Sequence, residues 1–274
     1  MMESGDSNGD KSHHLLGIVA AVAEGKKETA ALVQKLNPMI PDNRAVSKKP
    51  AEQAQKYALS KKGRNLPVLT VATQMVVEKS DKAFQNPTKP IGPFYQEAEA
   101  KALEAEKGYT MKEDAGRGWR RVVASPLPRK IVEIDAVKKL WDSSIVISCG
   151  GGGIPVVENA DGSMEGVAAV IDKDFAAELL AEQVEADVLM ILTEVEKVAI
   201  NFNKPDQKNL DNLKLEDAVK YIEEGQFAPG SMLPKVEAAM KFVRAYPNKK
   251  AIITSLDKAI EALEGKTGTV ITFA

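Results

Sequence analysis

The chain has 274 residues, 44% of them hydrophobic, enough to bury a full core as one large domain or as two lobes. A formal net charge of −2 leaves no basic footprint for nucleic acid, and no apolar run is long enough to span a bilayer. A single cysteine, Cys149, excludes an internal disulfide framework and fits a reducing, cytoplasmic setting; the polar first residues do not form a secretory signal.

In chain order, residues 1–12 (MMESGDSNGDKS) are polar and predict a disordered leader. His13 and His14 follow side by side; with no cysteine nearby they make a poor metal site and read as surface. Helices are predicted over 26–36 and 51–62, the second stopped by Gly63. Residues 66–77 (LPVLTVATQMVV) are β-branched and read as one strand. Residues 81–95 hold three prolines and predict a loop, in which Lys89 sits within N-P-T-K-P on a stiffened backbone. A charged helix over 96–107 ends at Gly108. Residues 115–128 (AGRGWRRVVASPLP) read as a basic loop. Its arginines either pair with a planar anion or are the solvated neighbours of a core Trp119.

A helix over 131–140 and a buried strand over 144–148 lead to Cys149 and the run Gly150, Gly151, Gly152, Gly153. Four glycines after a strand let backbone N–H groups approach an oxyanion, although they make an unconstrained turn equally well. A hairpin is predicted over 154–169, turned at Asp161-Gly162. Then an apolar run ends in Asp172-Lys173-Asp174 and passes into an alanine-rich helix. Such a helix N-terminus favours a bound anion, and the same triplet also serves as a simple cap. The most apolar strand, 186–192, ends at Thr193-Glu194-Val195. Lys235 stands in Gly230-Ser231-Met232-Leu233-Pro234-Lys235, ahead of a helix over 235–246. A helix over 215–224, a strand over 251–254, a helix over 257–263 and a strand over 269–273 complete the pattern.

Strands alternating with helices at this spacing imply an α/β fold, an open three-layer α/β/α sandwich around a mainly parallel sheet. Ligands bind such sheets at the carboxyl edge. Two lysines at helix starts, glycine-rich loops and no evident nucleophile point to phosphoryl transfer by charge stabilisation.

Seven stretches are collinear with one known family: AFQNPTKPIGPFY (83–95), KEDAGRGWRRVV (112–123), SCGGGGIPV (148–156), GVAAVIDKDFA (166–176), LMILTEV (189–195), GQFAPGSMLPKV (225–236) and ALEGKTGT (262–269). From about Leu66 to the C-terminus the chain resembles the carbamate kinases of the amino acid kinase family. The resemblance implies reversible phosphoryl transfer between ATP and carbamate, run toward ATP from carbamoyl phosphate and ADP in arginine catabolism. It implies an incomplete N-terminal carbamate lobe over 13–165, with a small protruding subdomain around 80–125, and a nucleotide-binding lobe over 166–274. Lys173 and Lys235 would neutralise the transferred phosphoryl group, Asp174 would hold the lysines, and Lys89 would close on the substrate. Gly150 to Gly153 would line the substrate side; Thr193, Glu194, Phe227, Gly230, Ser231 and Met232 would touch the nucleotide. Magnesium would ride on the ATP or ADP phosphates with no dedicated metal site, and the assembly would be a homodimer without nucleic acid or membrane partners.

The sequence departs from that pattern in lacking the family's Gly-Gly-Asn-Ala phosphate loop, and the nearest match to its second glycine loop is residues 4–11 (SGDSNGDK). Glu194 stands for the usual aspartate and Leu233 for the usual glycine. Each lost phosphate-binding donor should cost on the order of 10²-fold in rate. Two readings follow: a working carbamate kinase, or a degenerate relative that binds nucleotide or dimerises without efficient catalysis.

Overall fold

The computed structural model describes residues 20–22 (backbone only), 67–114 and 116–274. The predicted leader, the histidine pair, the helices over 26–36 and 51–62 and the glycine stretch 4–11 lie outside the described residues.

Strand β1 (Ala20–Val22) is followed by β2 (Val68–Thr70) and β3 (Gln74–Val77). A three-stranded antiparallel sheet comes next, ordered β4-β6-β5, from β4 (Lys89–Tyr95), β5 (Thr110–Glu113) and β6 (Trp119–Val123). Helix α1 (Glu97–Lys107) packs on it. Gln96 and Glu99 form a capping box at the start of α1, and Gly108 ends it at φ 64°, a left-handed conformation that glycine adopts without strain. Then follow β7 (Pro128–Ile131), α2 (Ile134–Trp141), β8 (Ile145–Ile147), β9 (Ile154–Glu158) and β10 (Met164–Gly166). One four-stranded sheet has the order β10-β9-β3-β7, with β3 and β9 parallel at its centre; among the described residues β2 pairs only with β8.

The remaining elements are α3 (Lys173–Gln183), β11 (Val188–Thr193), β12 (Ala199–Ile200), β13 (Lys208–Asn209), β14 (Asn212–Lys214), α4 (Leu215–Glu223), α5 (Met232–Ala245), β15 (Lys250–Ser255), α6 (Ala259–Leu263) and β16 (Thr269–Thr272). They build a five-stranded sheet ordered β1-β11-β15-β16-β14, in which β11 and β15 run parallel in unbroken register from Val188↔Lys250 to Thr193↔Ser255. Alternate residues of these strands face opposite layers. Leu189, Ile191, Ala251, Ile253 and Ile271 pack with Val236, Ala239 and Phe242 of α5 and Ala218 of α4. Met190, Leu192 and Ile252 pack with Ala259 and Ala262 of α6. Helices on both faces of the sheet give the α/β/α layering that the strand–helix alternation predicts.

Helix α3 joins the two sheets. Ala176 and Leu179 enter the core over the four-stranded sheet, with Met75 and Ile131, while Ala181 enters the core over the five-stranded one. It also lies against α5. Four links between the two helices advance together along both: Asp174 with Lys235, Glu178 with Lys241, the Glu182 carbonyl with the Tyr246 hydroxyl, and the Glu185 carbonyl with Lys249 just beyond α5. The helices are therefore parallel, with both N-termini at one end.

Several predicted elements are corrected. The stretch 66–77 is two strands, broken at Val71–Thr73, because the Thr73 side chain accepts from the Cys149 backbone N–H at 2.6 Å while its carbonyl accepts from Ile154. Residues 81–95 hold a 3-10 turn (Lys82–Phe84) and strand β4; Pro90 and Pro93 are tolerated because β4 is an edge strand. The basic loop contains β6, the central strand of its sheet, so Trp119, Arg120 and Arg121 are placed by ladder pairing. Helix α5 begins at Met232, which puts Lys235 inside its first turn rather than ahead of it.

Burial raises the Glu178 carboxyl from its ordinary 4.5 to about 7. The folded chain then holds this proton more tightly than the unfolded chain. The associated stability is complete below about pH 4.5 and is lost as pH rises through about 7. Denaturant titrations of wild type and Glu178→Gln should show the difference in stability moving against wild type by on the order of 2 kcal/mol between those limits. A difference that does not change with pH would contradict this.

Candidate active site

The N-terminus of α3 is where the charged candidates meet. Asp172 is its N-cap, and Oδ1 accepts the Asp174 backbone N–H at 3.0 Å. Its other oxygen, Oδ2, accepts from Lys89 Nζ at 3.1 Å, which ties β4 of the small sheet to this helix. Asp174 is buried, 5% exposed, and its Oδ2 accepts from Lys235 Nζ at 2.8 Å. Lys173 stands between them with no hydrogen bond or close ion pair of its own among the described residues. Burial, and then the charges of Lys89 and Lys235, hold Lys173 below the ordinary lysine range, while Asp172 and Asp174 pull it back up. Burial pushes the Asp174 carboxyl up against the pull of Lys235. Three ammonium groups thus face two carboxylates at the positive end of a helix dipole, and α5 brings a second helix N-terminus alongside. An anion placed there would relieve the mutual repulsion of the lysines.

The glycine run packs directly beneath this point. Gly150–Gly152 form a 3-10 turn, and Gly151, Gly152 and Gly153 have φ of 73°, 96° and 81°. A Cβ on Gly152 would lie 2.3 Å from the carbonyl oxygen of Ile171, the residue before Asp172, and one on Gly153 would lie 2.2 Å from Met75 Cγ. Close packing rather than looseness explains these two glycines. The sequence offered only an approach to an oxyanion or an unconstrained turn, and packing against Ile171 and Met75 was not legible in it.

Helices α3 and α5 each lead through a short turn into β11 and β15, so their N-termini stand at the carboxyl edge of that parallel pair. Thr193 ends β11 half-buried opposite Ser255, and Glu194 beyond it is exposed. Gly230 and Ser231 are exposed at the start of α5, with Gly230 at φ 72° and Ser231 as N-cap; Met232 is half-buried. The Phe227 ring is core, 3% exposed and edge-on to Tyr221 at 6.4 Å. Among the described residues no three His, Cys, Asp or Glu side chains gather to hold a metal. At the α3 N-terminus the carboxylates are already engaged with lysines, so the residues there do not fit a resident metal ion.

Residues 21–255 match the model of the amino acid kinase family. The chain belongs to that family. A carbamate kinase of Clostridium perfringens is 63% identical over 214 residues, 78% of this chain and 68% of that protein. A carbamate kinase of Pyrococcus horikoshii is 54% identical over 81% of this chain and 70% of its own length. A carbamate kinase-like protein of Escherichia coli is 52% identical over 89% and 80%. Among solved structures, the carbamate kinase from Giardia lamblia bound to AMP-PNP has a TM-score of 0.78 at 39% identity, covering 90% of this chain and 82% of that one. Within the amino acid kinase family the chain groups with the carbamate kinases.

Sequence reasoning missed the second role of Asp172, as the anchor for Lys89, since the partners are 83 residues apart. It also missed Glu178 and Lys241. The available signal was the i, i+4, i+8 spacing of Asp174, Glu178 and Glu182, which puts three carboxylates on one helix face.

The glycine packing predicts that Gly152→Ala costs about 1–3 kcal/mol more than the strain of its positive φ alone and displaces the Ile171–Asp172 backbone. Gly151→Ala, whose Cβ meets nothing within 4 Å, carries only the strain of its positive φ, about 1–2 kcal/mol. Thermal melts of the two variants check this. Equal losses would show that contact with Ile171 is not what selects glycine at 152.

Proposed function

We propose that the chain catalyses reversible phosphoryl transfer between carbamoyl phosphate and ADP, giving carbamate and ATP, a reading supported by relatives named carbamate kinase. The observation that carries the proposal is the convergence of Lys89, Lys173 and Lys235 on the N-terminus of α3, ordered by Asp172 and Asp174. A β-phosphate oxygen of ADP attacks the phosphorus of carbamoyl phosphate. The bond from phosphorus to the carbamoyl oxygen breaks, and carbamate leaves with its electron pair. Little covalent chemistry falls to the protein, so positioning and charge carry the catalysis. Lys173 and Lys235 act on the charge of the passing phosphoryl group. Asp174 holds Lys235 in place, and its charge acts on Lys173. Lys89 grips the acyl phosphate from the small sheet.

In the glycine run Gly150–Gly153, which borders the substrate side, the N–H groups of Gly152 and Gly153 donate to the carbonyls of Cys149 and Gly150, so Gly150 and Gly151 are the ones that offer backbone N–H groups to the substrate. Thr193, Glu194 and the segment from Phe227 to Met232 border the nucleotide, with Phe227 contributing backbone while its ring stays in the core. The divalent cation enters with ADP as part of the substrate. The lobe division at about residue 165, the homodimer and a cytoplasmic role in arginine catabolism belong to the same proposal; no described helix is long and apolar enough to cross a membrane. The degenerate reading rests on the missing Gly-Gly-Asn-Ala loop; against it stand relatives 63% and 54% identical that carry the name carbamate kinase, and a charged set that is in place.

ATP formation from ADP and carbamoyl phosphate with magnesium, measured beside ADP binding, tests the proposal. Lys173→Ala and Lys235→Ala should each lower kcat by about 10²- to 10³-fold, with ADP affinity changed less than about threefold. Lys89→Ala should raise KM for carbamoyl phosphate more than for ADP. Turnover unaltered in both Lys173→Ala and Lys235→Ala would overturn the site assignment.

A further inference from the structure

The seam between α3 and α5 carries more charge than its packing requires. Glu178 lies in the middle of it, its side chain 1% exposed, and Oε2 accepts from Lys241 Nζ at 2.6 Å. Glu182, one turn further along α3, accepts from the same ammonium at 3.3 Å. Oε1 of Glu178 has no donor among the described residues. Burial of this carboxylate outweighs the pull of Lys241, and Glu182 adds to the strain.

As a source of stability such a pair is a poor choice, because an apolar pair of similar volume commonly holds two helices as well or better. An apolar pair would not, however, fix how far one helix slides along the other. Among its buried side chains α3 contributes only Ala181 to the core it shares with α5, a knob too small to key one helix into a single axial position on its neighbour. Directional crosslinks do that. The Asp174–Lys235 link cannot do it alone, since Lys235 faces the site and its charge is shared with whatever anion binds there, and the Tyr246–Glu182 and Lys249–Glu185 links lie at the far end of the seam, where the helices end. Glu178 is one turn from Asp174, and Lys241 is less than two turns from Lys235. A helix is stiff over that length, so a slip at the inner pair reaches the outer one almost undiminished.

We propose that Glu178 and Lys241 are positioning residues: their ion pair, with Glu182 beside it, sets the register of α3 against α5. It thereby sets the spacing between the Lys173 and Lys235 ammonium groups at the two helix N-termini. The inference rests on the phosphoryl-transfer reading of that site. A displacement of about 1 Å between groups that act together on a reacting centre costs on the order of 10²-fold in rate.

The test is the double variant Glu178→Leu/Lys241→Met, which removes both charges and keeps the volume. Its melting temperature should equal or exceed that of wild type, while kcat falls by about 10- to 100-fold and KM for ADP stays within about twofold. Lys241→Arg keeps the charge and should retain kcat within about threefold. A second readout needs no turnover: competitive acetylation with acetic anhydride, read by mass spectrometry, follows the titration of Lys173. In the double variant its midpoint should move up toward the ordinary lysine range. The proposal is overturned if kcat and the Lys173 midpoint are both unchanged, or if kcat is lost only in step with the melting temperature. Should the double variant not fold, Glu178→Gln decides by the same criteria. Should wild type form no ATP, the phosphoryl-transfer reading falls, and the Lys173 midpoint alone decides the positioning claim.

Discussion

Two aspartates flank Lys173, and each is committed to a different lysine. Asp172 caps α3 through one oxygen and receives Lys89 through the other, while the buried Asp174 receives Lys235. Everything else at the site depends on this division. It draws one lysine from an edge strand and one from a neighbouring helix to the first residue of α3, where Lys173 itself stands. The cost is the burial of Lys173 and, after it, mutual repulsion among three cations beside two helix N-termini, which together hold Lys173 below the ordinary lysine range. Such an arrangement is most stable with a multiply charged anion in it, and its attraction grows as negative charge accumulates. That is the electrostatic requirement of phosphoryl transfer without a covalent intermediate.

The fold exists around the site in a specific sense. Helix α3 places residues in two separate cores, so it cannot shift without disturbing both sheets. The glycine run packs so close to the carbonyl of Ile171 that a Cβ at Gly152 would clash with the backbone before Asp172. Rigid packing on three sides, from the two cores and the glycine run, holds a charge cluster that would otherwise spread apart.

Legibility in the sequence followed the range of the interactions. Asp172-Lys173-Asp174 could be read as a helix start because an N-cap is a local device, confirmed by the Asp172–Asp174 hydrogen bond. The hairpin turned at Asp161-Gly162 and the end of α1 at Gly108 were legible for the same reason. Where partners are distant, the reading failed. Prolines argued against a strand over Lys89–Tyr95, but edge position in a sheet decided otherwise. The break at Val71–Thr73 is fixed by a hydrogen bond to Cys149, 76 residues away, and no local pattern announces it. The pairing of Glu178 with Lys241 spans 63 residues and was equally hidden.

The account stands or falls on whether the lysine cluster receives the phosphoryl group in flight. A crystal structure of the enzyme with magnesium, ADP, aluminium fluoride and carbamate would measure this most directly. The prediction is that the fluoride ligands lie at the α3 N-terminus, each of Lys173 and Lys235 donating through Nζ at about 2.7–3.2 Å, with Lys89 drawn from Asp172 toward the carbamate side. A fluoride group bound elsewhere, with Lys173 and Lys235 still engaged only by aspartates, would contradict the account.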